Sequence, residues 1–295
     1  MIVVTGTKRS GTSMWMQILA AAGIRVVGEA YSRGWEESIK EANRRGFHES
    51  LLRRGIYYAT NPHPRTGAWL NPKASRHLAV KVFVPGIVRS DYLYLSRVIA
   101  SIRPFRQYAA SLARLHEMEA ESRKKRGKEG PPRAYLDPIL EWWLENFLLI
   151  RDVTTRGYPA RLVAYESVLE NPQGVLSEIF SWLGVGDFEA ACRAVHPEDR
   201  TQNKETVSDL THPQGAVFDE LYERIKVGTP FDAEFLGRLN ETHEALLPEI
   251  TQALAVLAEA RSHMKRRASG PLSPDRLDAL LHPEGPSPQS SSPSS

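Results

Sequence analysis

Short, continuous apolar runs alternate along the chain with longer stretches in which apolar residues recur every three or four positions. That alternation predicts parallel βαβ units. Ile2-Val3-Val4-Thr5 reads as a β-branched strand that passes through Gly6-Thr7-Lys8-Arg9-Ser10-Gly11 into a helical pattern running to Ala22, stopped by Gly23. Ile24 to Val27 reads as a short second strand, Trp35 to Arg45 as a charged, exposed helix, and Leu51 to Tyr58 as a further helical stretch, with Gly46-Phe47-His48-Glu49 interrupting between the last two. Turn formers fill Asn61 to Gly67, which predicts a surface loop. Leu78 to Val84, ended by Pro85-Gly86, and Arg97 to Ile102, ended by Arg103-Pro104, are compact apolar runs of the kind that become buried parallel strands.

Pro104 suits the first turn of a helix continuing toward Glu121. The pattern then breaks at Ser122 to Arg133, a basic stretch with Gly and Pro but no apolar residue, which reads as a solvated loop or as a mobile lid over an anionic site. Asp137-Pro138 caps a helix to Arg156 whose Trp142, Trp143, Phe147 and Ile150 fall at core spacing. Arg161 to Tyr165 is a further strand, and Asn171-Pro172 opens a helix that ends at Leu183 before Gly184. Beyond Asp187 the pattern is mostly helical, finishing with a helix from about Ala233 to Lys265 and a basic cluster, His263 to Arg267, that reads as a solvated helix end. The prediction is an α/β fold: a P-loop-type parallel sheet flanked by helices over residues 1–184, with a largely helical part over 187–265, together one domain. The Pro- and Ser-rich segment 268–295 lacks the apolar content for a core and is expected to be disordered.

Composition narrows the chemistry. The 295 residues carry 38 basic and 35 acidic side chains for a net charge of +3, so no global field recruits nucleic acid and any basic site is local. Cys192 is the single cysteine, which excludes an internal disulfide and a cysteine metal cluster and fits a reducing compartment. A strand beginning at residue 2 leaves no room for a secretory leader, and no apolar run approaches a membrane span, so a cytoplasmic location is expected. The first loop is a Gly-x4-Gly turn running into a helix N-terminus, an arrangement that binds phosphate or sulfate. A Walker A loop needs Lys-Ser/Thr after the second glycine, whereas Thr12 stands in that lysine's place here and the cations Lys8 and Arg9 precede Gly11.

Arg9-Ser10-Gly11-Thr12-Ser13 resembles the 5′-phosphosulfate loop of sulfotransferases that use 3′-phosphoadenosine 5′-phosphosulfate (PAPS). Arg103, closing a strand, and Ser111 eight residues later have the spacing of that family's 3′-phosphate site. Val163-Ala164-Tyr165-Glu166 followed by Glu170-Asn171-Pro172 and Trp182-Leu183-Gly184 resembles its Tyr-Glu-Asp segment, whose tyrosine lies near the adenine. Lys81-Val82-Phe83-Val84-Pro85 is similar to a Lys-Thr-His-Leu-Pro strand end in cytosolic members. The resemblance implies sulfuryl transfer from PAPS to a hydroxyl without a metal. Lys8, Arg9, Ser10, Gly11, Thr12, Ser13, Met14, Arg103, Ser111 and Tyr165 would hold the nucleotide, with Arg9 on the leaving oxygen and Lys81 on the sulfate.

Departures from the family pattern set further expectations. Phe83 occupies the place of the histidine base of cytosolic members, so the base falls to Glu49, or failing that to His48, in a stretch resembling a bacterial Gly-Phe-Phe-Glu. Trp15 comes one residue later than the adenine-stacking tryptophan, which turns Met14 toward the adenine and Trp15 toward the core. The family's C-terminal Arg-Lys-Gly motif is missing, with Arg200 or Lys204 as candidate replacements. The acceptor could be a small molecule, a carbohydrate or a lipid, with Tyr31, Trp35, Tyr57, Tyr58 and Trp69 as a candidate apolar wall. A P-loop small-molecule kinase and a non-catalytic nucleotide-binding homologue are the competing readings.

Overall fold

The computed structural model describes residues 1–31, 43, 45–125, 127, 135–199 and 210–268. Five strands form one parallel sheet: β1 (Ile2–Thr5), β2 (Val26–Val27), β3 (Ala79–Lys81), β4 (Arg97–Ile102) and β5 (Ala160–Ala164), in the order β2-β3-β1-β4-β5. Ile2 pairs with Ala79 on one side and Arg97 on the other, so β1 is the central strand, and the chain crosses to its other flank between β3 and β4. Open parallel sheets bind ligands at the C-terminal ends of their strands where the winding reverses. Here that edge carries Gly6, Lys81, Arg103 and Tyr165.

Alternation along β1 divides the core in two. Ile2 and Val4 face α1 (Thr12–Ala21), where Trp15, Ile18 and Leu19 pack with Leu176, Ile179 and Phe180 of α6 (Pro172–Leu183). Val3 faces the opposite layer with Val80, Val98 and Leu149 of α4 (Pro138–Arg156). A third cluster joins α4 and α3 (Phe105–Lys125) to α8 (Gly215–Val227) and α9 (Ala233–Ala268) around Phe105, Trp142, Trp143, Phe218 and Phe235. The two tryptophans are fully buried there, as their helical spacing predicts. The remaining helices are α2 (Val84–Ile87), α5 (Tyr165–Glu170) and α7 (Phe188–Arg193).

Caps fall where the sequence places them. Asp137 accepts from the N–H groups of Ile139 and Leu140, Asn171 accepts from Gly174, and Gly157 and Gly184 close their helices in the left-handed conformation. Four expectations are corrected. The second strand is only Val26–Val27, and the apolar run at Leu78 is a strand only to Lys81 because α2 starts at Val84, with Phe83 as its N-cap and Pro85 in its first turn. Leu51–Arg54 forms one 3₁₀ turn, ended by Gly55 at φ +113°, rather than a helix to Tyr58. Helix α3 continues through Ser122 to Lys125, since long basic side chains favour helix and suit its C-terminal end. Most of the expected Trp35–Arg45 helix, the remainder of the basic loop to Arg133, Arg200, Lys204 and the segment from 269 onward lie outside the described residues.

Candidate active site

The loop between β1 and α1 is shaped by its own hydrogen bonds. Ser10 is fully buried, and its Oγ and N–H both donate to the Thr7 carbonyl, while Ser101 Oγ on β4 donates to the Ser10 carbonyl at 2.6 Å. Ser10 therefore fixes the loop's shape with its side chain. Gly6, at φ +145°, has no room for a side chain, since a Cβ would lie 2.3 Å from the Ser101 carbonyl oxygen. At Gly11, φ +96°, a Cβ would lie 2.6 Å from the Tyr165 ring, so that ring rests directly on the loop backbone. Thr12 begins α1 and is buried, Ser13 and Met14 are half-buried at the loop's edge, and Trp15 is wholly in the core, as the one-residue offset predicts.

Two clusters of cationic and hydroxyl groups flank this loop. On the β4 side, Arg9 Nε donates to Ser111 Oγ at 3.1 Å, and Arg103 Nη1 donates to the Arg9 carbonyl at 3.2 Å. The Arg103 guanidinium lies over the Tyr165 ring, 4.7 Å from its centre, and is almost fully buried. Burial first, then the neighbouring Arg103 charge, lowers the Arg9 pKa to about 10, with Arg114 adding to the fall and Tyr165 opposing it. Like charges held together out of water are stabilised by an anion between them. The Arg9 and Arg103 charges thus stand close enough to repel, with the Ser111 hydroxyl against Arg9.

On the β3 side, Lys81 is 2% exposed, yet its Nζ is 3.0 Å from Glu49 Oε1 and 3.2 Å from Ser13 Oγ, and it donates to the Phe47 carbonyl. Burial lowers the Lys81 pKa and Arg53 and Arg9 add to the fall, against the Glu49 charge and hydrogen bond. Glu49 is also buried and its Oε2 takes Arg53 Nη1 at 2.9 Å. Its position is set by an antiparallel bridge with Glu29 and by Gln17 of α1, which donates to the Gly46 carbonyl at 3.0 Å. His48 adopts φ +49°, and burial, followed by the Lys81 charge, pulls its pKa below the usual imidazole value, against a backbone hydrogen bond to Arg45.

Arg9 in the loop and Ser13 in the first turn of α1 are four residues apart, so the two clusters flank one short stretch of chain. Lys8 points elsewhere. Its Nζ pairs with Glu141 Oε1 at 2.9 Å, and although burial opposes it, that partner together with Glu145 and Glu119 raises the lysine's pKa. Beside Glu49 opens a cavity of about 650 Å³ whose lining includes Glu29, Arg53, His63, Leu52 and Leu70. The aromatics expected to form an apolar wall do not line it, and Tyr58 and Trp69 are 89% and 59% exposed. Trp35 lies outside the described residues.

Arg53, Gln107 and the Phe47 carbonyl also touch these side chains, and the sequence pattern does not single them out. Gln107 follows Arg103 by four residues, in the first turn of α3. The others meet the loop only through the tertiary fold.

No family model matches the chain, and no curated protein matches it. Among solved structures the chain is similar to a sulfotransferase domain from the curacin biosynthetic pathway, at 13% identity over 82% of this chain and 96% of that one, with a TM-score of 0.37. It is also similar to a sulfotransferase domain from the Synechococcus PCC 7002 olefin synthase, at 16% identity over 83% of this chain and 94% of that one, with a TM-score of 0.34. Likenesses of this size leave the chemistry to be argued from the chain's own residues. Among the described residues no helix is long and apolar enough to cross a membrane, and no group of three or more His, Cys, Asp and Glu side chains is placed to hold a metal ion.

Proposed function

We propose that residues 1–265 form a PAPS-dependent sulfotransferase acting on a hydroxyl of a small-molecule, carbohydrate or lipid acceptor. The observation that carries this reading is the pair of cation clusters, Arg9–Arg103–Ser111 and Lys81–Ser13, at opposite ends of one glycine turn that lacks a Walker lysine. A nucleotide anionic at both its 3′ and 5′ ends requires such a pair. A magnesium nucleotide requires neither the Arg103 cluster nor Thr12 in place of lysine.

PAPS, when bound, supplies a sulfuryl group that leaves its 5′-phosphate oxygen. Arg9, Arg103 and Ser111 hold the 3′-phosphate, so in this fold Arg9 serves that end in place of the leaving oxygen to which the resemblance assigned it. Lys81, Ser13 and the first N–H groups of α1 neutralise charge on the sulfate and on the departing oxygen. Glu49 takes the acceptor's proton as the acceptor oxygen bonds to sulfur, which yields a sulfate ester and 3′,5′-adenosine bisphosphate. Both Glu49 oxygens are engaged, by Lys81 and by Arg53, and opening the Lys81 bridge leaves Oε1 more basic toward the acceptor's hydroxyl. A sulfate drawing Lys81 toward itself does this, and it couples donor binding to release of the base.

The test is thermal unfolding with 3′,5′-adenosine bisphosphate against ADP with magnesium, on the wild type and on Arg103→Ala. At 100 times its dissociation constant a ligand of the native state adds about 2.7 kcal/mol, a rise of several degrees in midpoint. Stabilisation by the bisphosphate that disappears in Arg103→Ala supports the reading. Stabilisation by magnesium ADP alone overturns it in favour of a kinase.

A further inference from the structure

Arg103 does not hold its orientation by itself. Gln107, in the first turn of α3, accepts from Arg103 Nε through its Oε1 at 3.4 Å, and its Nε2 donates to Glu166 Oε1 at 2.6 Å. Glu166, in the first turn of α5 and buried, is in turn held by α8, where Tyr222 O–H lies 3.4 Å from its Oε2 and also receives its backbone N–H. The chemistry of this chain of contacts runs one way. A carboxylate only accepts hydrogen bonds, so Glu166 compels the Gln107 amide to present N–H toward it and C=O toward Arg103. With the amide reversed, an N–H would face the guanidinium and the two donors would repel.

We infer that Gln107 and Glu166 are positioning residues that fix the Arg103 guanidinium for recognition of a nucleotide 3′-phosphate. This rests on the 3′-phosphate role proposed above for Arg103. Tyr165 sets the plane of the guanidinium by lying across its face, while Gln107 and the Arg9 carbonyl set its rotation within that plane. Rotation matters because a guanidinium binds phosphate as a two-pronged fork, and a fork turned out of register keeps its charge while losing paired hydrogen bonds. Glu166 also ties this orientation to α8 in the helical C-terminal part of the chain, through Tyr222.

The experiment compares, by calorimetry, the affinities for 3′,5′-adenosine bisphosphate and for adenosine 5′-monophosphate, which lacks only the 3′-phosphate. Wild type should prefer the bisphosphate strongly. Gln107→Leu and Glu166→Ala should each weaken the bisphosphate about tenfold while leaving the monophosphate unchanged, and Glu166→Gln, whose amide oxygen can still accept from Gln107, should restore the wild-type ratio. General damage to the fold would weaken both ligands together, and the unfolding midpoint without ligand reports it separately. Because the two substitutions lie on different helices, failure of one variant to fold leaves the other to decide. If wild type prefers the bisphosphate and both variants keep its ratio, the positioning role is overturned while the Arg103 site stands. If wild type shows no preference, the Arg103 site itself is wrong and the positioning role falls with it.

Discussion

Lys81 Nζ lies 3.0 Å from Glu49 Oε1, with both side chains almost wholly withdrawn from water. Removing one member of a buried ion pair strands the other, at a cost of about 3–5 kcal/mol. Truncation to alanine would therefore mix loss of stability with loss of chemistry. Glu49→Gln keeps the size of the side chain and an oxygen for Lys81 but cannot take a proton. Its turnover should fall ~10²-fold or more while bisphosphate affinity stays close to wild type. Initial rates and calorimetry on one preparation check this, and unchanged turnover would remove Glu49 from the mechanism and support His48 or a non-catalytic role.

The loop glycines should separate folding from binding. Gly6→Ala brings a methyl group within 2.3 Å of a backbone carbonyl in the central sheet, a neighbour that cannot rotate away. It should destabilise the protein by at least about 2 kcal/mol. Gly11→Ala meets the Tyr165 ring, which can swing aside, so its cost in stability should be smaller and its effect on nucleotide affinity larger. Denaturant midpoints and bisphosphate titrations give both quantities, and equal loss of stability in the two variants would show that Tyr165 is as fixed as the sheet.

Local signals make the parallel strands, the Asp137 and Asn171 caps and the stop at Gly184 legible in the sequence, because each depends on a few adjacent residues. Arg9, Ser111, Arg103, Lys81 and Glu49 were nameable, and the fold gathers them at one sheet edge. What could not be read was their pairing. Arg9, at φ +66°, reaches Ser111 on α3, a pairing that no spacing rule encodes. Lys8 was read as a ligand contact, yet the fold gives it Glu141, a residue 133 positions away. The strand at Leu78 was read too long because an apolar run continues into α2 with the same composition, and only the hydrogen-bond ladder marks its end.

Arg9 and Arg103 should be energetically coupled through a shared anion. Each change to alanine is expected to cost about 2 kcal/mol of bisphosphate affinity, as for a charge-assisted hydrogen bond. The double variant should lose less than the sum, by about 1 kcal/mol, because the first substitution also removes the repulsion that pulls the Arg9 pKa down. A double-mutant cycle by calorimetry checks the coupling. Strict additivity would mean that the two guanidiniums serve separate ligands.

Glu145 provides a test by pH that is independent of any ligand. Its side chain is buried on α4, and among the described residues its Oε2 has no hydrogen-bond partner. Burial, reinforced by the charge of Glu141 and opposed by Lys8, raises its pKa from 4.5 to about 8. Between those values the folded protein holds a proton that the unfolded chain has released, so stability must fall as pH rises through that window. The contribution is fully present below about pH 4.5 and lost as the pH passes about 8. Glu145→Gln carries the neutral shape at every pH and should remove this slope. The variant should match wild type near pH 5 and exceed it by at least about 1 kcal/mol at pH 8, read as a midpoint several degrees higher. Parallel stability curves for the two proteins from pH 5 to 8 would show that Glu145 is ionised in the fold, with Lys8 outweighing burial and the charge of Glu141.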